Sequence, residues 1–327
     1  MFAKLSGILQ GWLGAPLRTG LIFWLGGLIL WLLHILNWQT VNHLCHNHLT
    51  DGERFVRPEW LGRWDLLRQL PETEAVLTLL ILTAVMLLSG ILVKTLQFGL
   101  LRWLEGYGWP QWLRGWRVND YEKRYQTKLK RWQALAKKHR DNTLTAAELW
   151  EYAPLDKEMV RSPESSFRMP TQLGNILRGY EQRPREKYGL DMIICWPRLW
   201  LLLPKATQEE LTAARSALDE AIQVIAWGML FLIWMIWSWW LALLIALLLM
   251  WGGYRLALQS ADIYGQLLEA TFDVHRHLLY QSLRWDLPES AAEEKQQGVA
   301  LTAYLWRGTD SQKLKSVTDH QSDNGKN

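Results

Sequence analysis

The sequence contains none of the short motifs that carry the most common enzymatic chemistries. It has no Gly-x-x-x-x-Gly-Lys phosphate loop, no His-Glu-x-x-His metal motif, no Gly-x-Ser-x-Gly turn, no Cys-x-x-Cys pair and no dinucleotide-binding glycine fingerprint. Nothing in the chain therefore assigns it to the enzyme classes that these motifs mark. We expect the protein to work without a cofactor.

Charged residues are missing from three long stretches of the chain. Residues 21–33, 75–93 and 221–254 contain no Asp, Glu, Lys or Arg. A helix crosses the hydrocarbon core of a bilayer with about 20 apolar residues, or about 17 at the short end. We therefore predict an all-α integral membrane protein. Because transporters usually keep an ionisable residue at membrane depth, these stretches argue against coupled transport.

The longest apolar stretch is predicted to cross the membrane twice. It is too long for one comfortable span, and the sequence Trp-Ser-Trp-Trp lies at its middle, at residues 237–240. Indole rings favour the headgroup layer over the hydrocarbon. We therefore predict spans at 221–237 and 239–258, joined in a helical hairpin whose tip lies at the far interface. One long tilted helix is the alternative.

Basic residues predict how the chain is oriented. Residues 94–140 hold twelve Lys and Arg but only three Asp and Glu. Since translocation of a basic flank is disfavoured, this segment and both chain termini are predicted to be cytoplasmic. Cys45 and Cys195 then lie on opposite sides of the membrane, so we expect no disulfide between them.

These patterns divide the chain into nine segments with four membrane spans. The predicted segments are an interfacial N-terminal segment (1–16), the first span (17–38), a periplasmic loop (39–74), the second span (75–98), a basic α-helical cytoplasmic domain (99–220), the third and fourth spans (221–237 and 239–258), cytoplasmic helices (259–308) and a disordered tail (309–327).

Local signals predict details of the cytoplasmic domain. Capping-box patterns at Thr145 and Thr207 predict helices that begin at residues 146 and 208. Residues 191–203 are apolar but too short to span a bilayer and are interrupted by Pro197. This segment is predicted to be a buried or interfacial element.

Tryptophan alternates with arginine directly after the second span. Over residues 100–116 the composition is typical of a segment that rests on lipid headgroups. The basic residues predicted to face anionic lipid are Arg102, Arg114 and Arg117. A protein partner or a second copy of the chain is the alternative. Nucleic acid is disfavoured because no nucleic-acid-binding motif accompanies the charge.

The predicted outer loop contains a group of possible metal ligands. His43, Cys45, His46 and His48 carry imidazole and thiolate groups, which bind zinc or copper. Their spacing matches no well-defined zinc motif. A solvated or interfacial loop is therefore favoured over a metal site.

A second group of charged residues is predicted to lie in the cytoplasm. Glu269, Asp273 and His277 are four residues apart and share one face of a helix. Facing arginines from elsewhere, they would form either a salt-bridge network, which is favoured, or a pocket with His277 as a base. The full predicted set is Arg178, Glu181, Asp191, Arg198, Glu269, Asp273, Arg276 and His277.

Several short sequence segments resemble those of a bacterial family of multi-pass membrane proteins to which no activity is assigned. They are PTQLGNILR at 170–178, YGLD at 188–191, WPRLW at 196–200 and FDVHR at 272–276. The resemblance covers about residues 170–308. It implies a cytoplasmic unit built around the hairpin, and it implies no activity.

Three functions follow from these patterns, in order of preference. The first is a non-enzymatic four-span protein of the bacterial inner membrane, whose cytoplasmic domain binds anionic lipid or a partner as a scaffold, sensor or membrane-acting effector. The second is an oligomeric channel or permeability factor. The third is a membrane-bound enzyme that uses the Arg, Asp and His cluster.

Overall fold

The computed structural model describes residues 20–33 and 72–308, in which helices are joined by short turns and loops and no strand occurs. The all-α prediction is therefore confirmed for these residues. They form ten α-helices and two short 3-10 helices, Ser165–Phe167 and Leu232–Ile236. The α-helices are α1 (Gly20–Leu33), α2 (Glu72–Glu105), α3 (Gln111–Arg140), α4 (Ala146–Arg161), α5 (Gln172–Tyr188), α6 (Met192–Leu202), α7 (Lys205–Phe231), α8 (Trp239–His275), α9 (His277–Ser282) and α10 (Ala291–Arg307).

Three helical segments are long and apolar enough to cross a membrane. They are Val76–Glu105, Lys205–Ile236 and Trp239–His275. Helix α1 is apolar but shorter, and the rest of the predicted first span lies outside the described residues. The interfacial segment 1–16, residues 39–71 of the predicted loop 39–74 and the tail 309–327 also lie outside them, so those predictions stay predictions. The last three residues of the predicted loop belong to helix α2, which begins at Glu72.

The described residues divide into two compact units. The first combines described residues up to Leu100 with Ile222–Tyr254, and the second combines Leu101–Ala221 with the chain from Arg255 onward. Helices α2, α7 and α8 each contribute residues to both units.

Aromatic side chains fill the interior of the first unit. Phe23 of α1 packs against Trp227, Phe231 and Trp234, with ring centroids 5.2, 6.1 and 5.3 Å away. Gly27 permits this approach, because a Cβ there would overlap the indole of Trp234. Since Trp227 and Trp234 are buried, they pack the unit together and are not exposed to the headgroup layer.

The apolar stretch turns back on itself within the first unit. Helix α7 ends at Phe231, a 3-10 turn follows, and α8 begins at Trp239. A Cβ at Gly228 would lie 3.1 Å from the carbonyl oxygen of Ala246, so the two helices run antiparallel in close contact. The chain therefore has a helical hairpin here and not one continuous helix.

The core of the second unit forms where the end of α8 meets α6, α9 and α10. Asp191 caps α6 by accepting hydrogen bonds from the backbone N–H groups of Ile193 and Ile194 at 3.0 and 3.3 Å. The helix thereby directs one apolar side inward. Fully buried members of the core are Leu190, Cys195, Leu199, Phe272, Leu279, Tyr280 and Leu301.

One of the two capping-box predictions is confirmed and the other is wrong. Thr145 accepts from the backbone N–H of Glu148, whose carboxylate accepts from the Thr145 N–H at 3.1 Å, so α4 begins as predicted. Helix α7, however, begins at Lys205, and Thr207 lies inside it. The reason is Pro204, whose carbonyl accepts from the Gln208 N–H and so starts the helix earlier.

Candidate functional site

The charged cluster on α8 exists, but its cationic partners come from the end of α5. Glu269 accepts from Arg183 Nε at 3.2 Å and pairs with Lys187 Nζ at 2.6 Å. Asp273 pairs with the same lysine at 3.1 Å and accepts from the Tyr188 hydroxyl at 2.6 Å. The cluster is therefore a shared ion-pair network between two helices.

Two members of this network, Lys187 and Tyr188, have raised pKa values. Burial opposes the charge of Lys187, but its bonds to Glu269 and Asp273 outweigh that effect and raise its pKa. Burial, followed by the hydrogen bond to Asp273, also raises the pKa of Tyr188. Both groups are therefore held in their protonated forms at neutral pH, so neither can act as a base there.

Arg276 belongs to a neighbouring interaction. Its guanidinium pairs with Glu294 of α10 at 2.6 Å, donates to the Asp273 carbonyl and stacks on the Tyr188 ring at 4.1 Å from the centroid. It thereby connects α5, α8 and α10. Glu294 was not predicted, because nothing in the local sequence around it indicates a partner eighteen residues away.

Four residues that were predicted to join the cluster lie elsewhere, so the prediction is wrong for them. They are Arg178, Glu181, Asp191 and Arg198. Arg178 pairs with Glu181 of its own helix at 2.9 Å. Exposed Arg198 donates to the carbonyl of Ile194, one turn earlier in α6. Asp191 is used as the cap of α6. Neither arginine is an ion-pair partner of the α8 carboxylates, because α5 presents residues 183 and 187 to α8 instead.

His277 lines an open cavity of about 500 Å³ beside Arg276, Tyr280 and Glu294. The imidazole is exposed, and its Nδ1 lies 3.1 Å from the Val274 carbonyl oxygen. Arg198 is not part of this cavity, so the predicted pocket that joins the two residues is not formed. Within the described part of the chain, no three His, Cys, Asp or Glu residues lie close enough to hold a metal ion. The predicted ligands His43, Cys45, His46 and His48 lie outside it.

Tryptophan and arginine surround the junction between α2 and α3. Trp112 and Trp116 at the start of α3 are 75% and 61% exposed, and Arg114 between them is also exposed. At the end of α2, Arg102 lies 4.7 Å from the ring centroid of Tyr107. We call this surface the aromatic collar. Its members are Arg102, Trp103, Tyr107, Trp109, Trp112, Arg114 and Trp116.

Arg117 differs from the other two arginines predicted to face lipid. It is half-buried and lines a second cavity, of about 490 Å³, among α3, α4 and the start of α5. Four more basic residues line this cavity, and none of them was predicted as a site residue. Their spacing along α3 and α4 indicates a shared face, but the sequence does not show that the two faces meet. The additional basic residues are Arg124, Lys128, Lys157 and Arg161.

The segment PTQLGN, at residues 170–175, holds the start of α5 against the end of α2. Thr171 donates from its hydroxyl to the Glu105 carbonyl at 3.0 Å and also caps α5. Gly174 permits the approach, because a Cβ there would overlap the same carbonyl oxygen. Buried Asn175 accepts from the Met169 N–H and donates to the carbonyls of Met169 and Thr171, all at 2.8 Å. These residues therefore build the fold.

Comparison with protein-family models, with curated proteins and with solved structures finds no significant match to this chain. The functional argument therefore depends on the chain's own residues and their geometry.

Proposed function

We propose that this chain is a non-enzymatic, four-span protein of a bacterial inner membrane whose cytoplasmic helices bind anionic lipid headgroups through the aromatic collar. Its function is then that of a membrane-associated scaffold or sensor. The bound lipid orients the helices that follow the second span. The ion-pair network at Glu269 and Asp273 supports this choice over an enzyme, because its charges are already satisfied by protein groups.

The observation that carries the proposal is the exposure of Trp112 and Trp116 beside Arg114. Indole rings exposed to 75% and 61% are poorly accommodated by water, and they follow an apolar helix of membrane-spanning length. An indole in the headgroup layer places its apolar body toward the acyl chains and its N–H toward water. Arginine beside it pairs with lipid phosphate, and each basic residue near an anionic surface contributes about 1 kcal/mol.

Helix α6 has a second apolar face that suits contact with a bilayer surface. Ile193, Pro197 and Leu201 recur every four residues and are exposed, with Leu201 at 81%. The opposite face carries Cys195 and Leu199 into the core. Exposed Arg198 lies beside the apolar face, where it can reach a headgroup while the apolar side chains enter the interface.

Lipid retention by the purified full-length chain tests the role of the collar. We expect the double variant Trp112→Ala/Arg114→Gln to retain at least about fivefold less phosphatidylglycerol, measured by native mass spectrometry from mixed micelles, because it loses one indole anchor and one phosphate partner. Phosphatidylcholine retention should be weak in both proteins.

The matched control is Trp150→Ala/Lys137→Gln, which removes the same residue classes from α4 and the far end of α3. Trp150 is 84% exposed, which is more than Trp112 or Trp116. This control should retain phosphatidylglycerol as the unmodified chain does. Equal losses in both double variants, or equal retention of the two lipids by the unmodified chain, would refute the collar.

Reporter tags test the proposed orientation. Tags at either terminus should respond from the cytoplasm, and a tag after His48 should respond from the periplasm, because the basic segment 94–140 resists translocation. A C-terminal tag that responds from the periplasm would show that the hairpin does not cross the membrane twice.

A further inference from the structure

The cavity among α3, α4 and α5 is lined by more basic side chains than its own carboxylates can neutralise. Five cationic side chains line it, against two carboxylates, Asp120 and Glu158. Asp120 already pairs with Arg124 at 3.0 Å, and Glu158 pairs with Lys128 at 2.6 Å. Arg117 has no carboxylate partner among the described residues, and its guanidinium carbon lies 5.9 Å from the centroid of the Trp116 ring.

The remaining two cations share one carboxylate from outside the cavity. Asp262 of α8 pairs with Arg161 at 2.5 Å and with Lys157 at the longer distance of 3.6 Å. The same carboxylate also accepts from the Tyr180 hydroxyl at 2.9 Å. The cations around the cavity therefore outnumber the carboxylates that pair with them. This excess of positive charge favours the binding of an anionic ligand.

Two tyrosines add hydrogen-bond donors to the same cavity. Tyr121 and Tyr125 line it, and neither hydroxyl has a hydrogen-bond partner within the residues that the structure describes. Buried Arg168 holds the rings in place, with its guanidinium carbon 3.9 Å from the Tyr125 centroid and 6.0 Å from that of Tyr121, while it pairs with Glu122. Burial raises the pKa of Tyr125, so its hydroxyl stays a donor at neutral pH.

We infer that this cavity binds a phosphoryl group. A phosphate monoester carries about two negative charges and three strong acceptor oxygens at neutral pH. The planar guanidinium groups of Arg117 and Arg124 match such oxygens in pairs, and the two phenols supply neutral donors. A volume of about 490 Å³ exceeds what phosphate alone fills, so the ligand carries its phosphoryl group on a larger body.

The phosphoryl group can come from a lipid headgroup or from a soluble molecule, and two probes distinguish the sources. The full-length chain, purified in neutral detergent at about 150 mM salt, is titrated calorimetrically with pyrophosphate and, separately, with dioctanoyl phosphatidic acid. Binding of both probes indicates that the phosphoryl group alone is recognised. Because the collar also binds anionic lipid, binding of the lipid only identifies a headgroup site in this cavity when the cavity variant Arg117→Gln/Arg124→Gln weakens it, and lipid binding that this variant leaves unchanged would refute the inference. Binding of pyrophosphate only identifies a soluble ligand.

The variant Arg117→Gln/Arg124→Gln should lower the affinity for whichever probe binds by at least about tenfold, which corresponds to about 1.4 kcal/mol. The control Lys123→Gln/Lys130→Gln removes the same charge from exposed positions of α3 that do not line the cavity, and it should change affinity less than about twofold. If neither probe binds the unmodified chain, or if the control weakens binding as much as the cavity variant, the inference is wrong.

Discussion

Replacing Gly298 with alanine is expected to detach α10 from α5 and to lower the apparent melting temperature of the purified chain by roughly 6–12 °C. A Cβ at this position would overlap the carbonyl oxygen of Tyr188, which is backbone and cannot rotate away. Overpacking of this kind costs about 3 kcal/mol, and each kcal/mol corresponds to about 2–4 °C in a unit of roughly 150–250 residues. Circular dichroism in mild detergent measures the change.

Gly115→Ala is the matched control for this substitution. Gly115 also lies within a helix, α3, but nothing lies within 4 Å of the position its Cβ would take. Because alanine has the higher helix propensity, this variant should be as stable as the unmodified chain or more stable by up to about 1 kcal/mol. If the Gly298→Ala and Gly115→Ala proteins had the same melting temperature, α5 and α10 would not be in backbone contact.

Asn175→Ala should destabilise the chain by about 3 kcal/mol. The side chain is buried and makes three hydrogen bonds, and its loss leaves one N–H and two carbonyls without that partner. Each buried polar group left unsatisfied costs about 1–3 kcal/mol. The start of α5 should also exchange its amide hydrogens faster, because Thr171 is no longer held from both sides. Hydrogen exchange with mass spectrometry measures that local effect.

Asn119→Ala provides the comparison, since Asn119 is an exposed residue on α3. Its substitution should change the melting temperature by less than about 2 °C. Unchanged exchange at residues 169–175 in the Asn175 variant would contradict the role given to this side chain.

Helix α5 contacts several other helices of the second unit. These contacts explain the residue types found in and beside the sequence segments 170–178 and 188–191. Gly179 lies against the Arg161 carbonyl of α4, and Tyr180 lies over Gly265 of α8, where a Cβ would overlap its ring. Gly189, at a positive φ of 72°, ends α5 and approaches α10. Gly179 and Gly189 permit close approach to neighbouring backbone, and Gly265 leaves room for the Tyr180 ring. The segments at 170–178 and 188–191 are therefore accounted for by packing.

The sequence by itself determined the helical class, the long apolar helices and the start of α4. These features depend on neighbouring residues: an uncharged run of sufficient length, or a threonine three residues before a glutamate. The hairpin was also predictable in outline, because the turn at residues 237–238 interrupts a run too long for one span. Such signals need no information about distant segments.

Only the tertiary structure decided which faces meet. Helical periodicity correctly placed Glu269 and Asp273 on one side of α8, but it did not show that Arg183 and Lys187 would oppose them. The alternation of tryptophan and arginine after the second span placed Arg117 with the lipid-facing arginines, whereas packing directs it into the basic cavity. The reason is that close approaches at Gly179, Gly265 and Gly298 set the rotation of each helix against its neighbours, and those approaches join residues far apart in the chain.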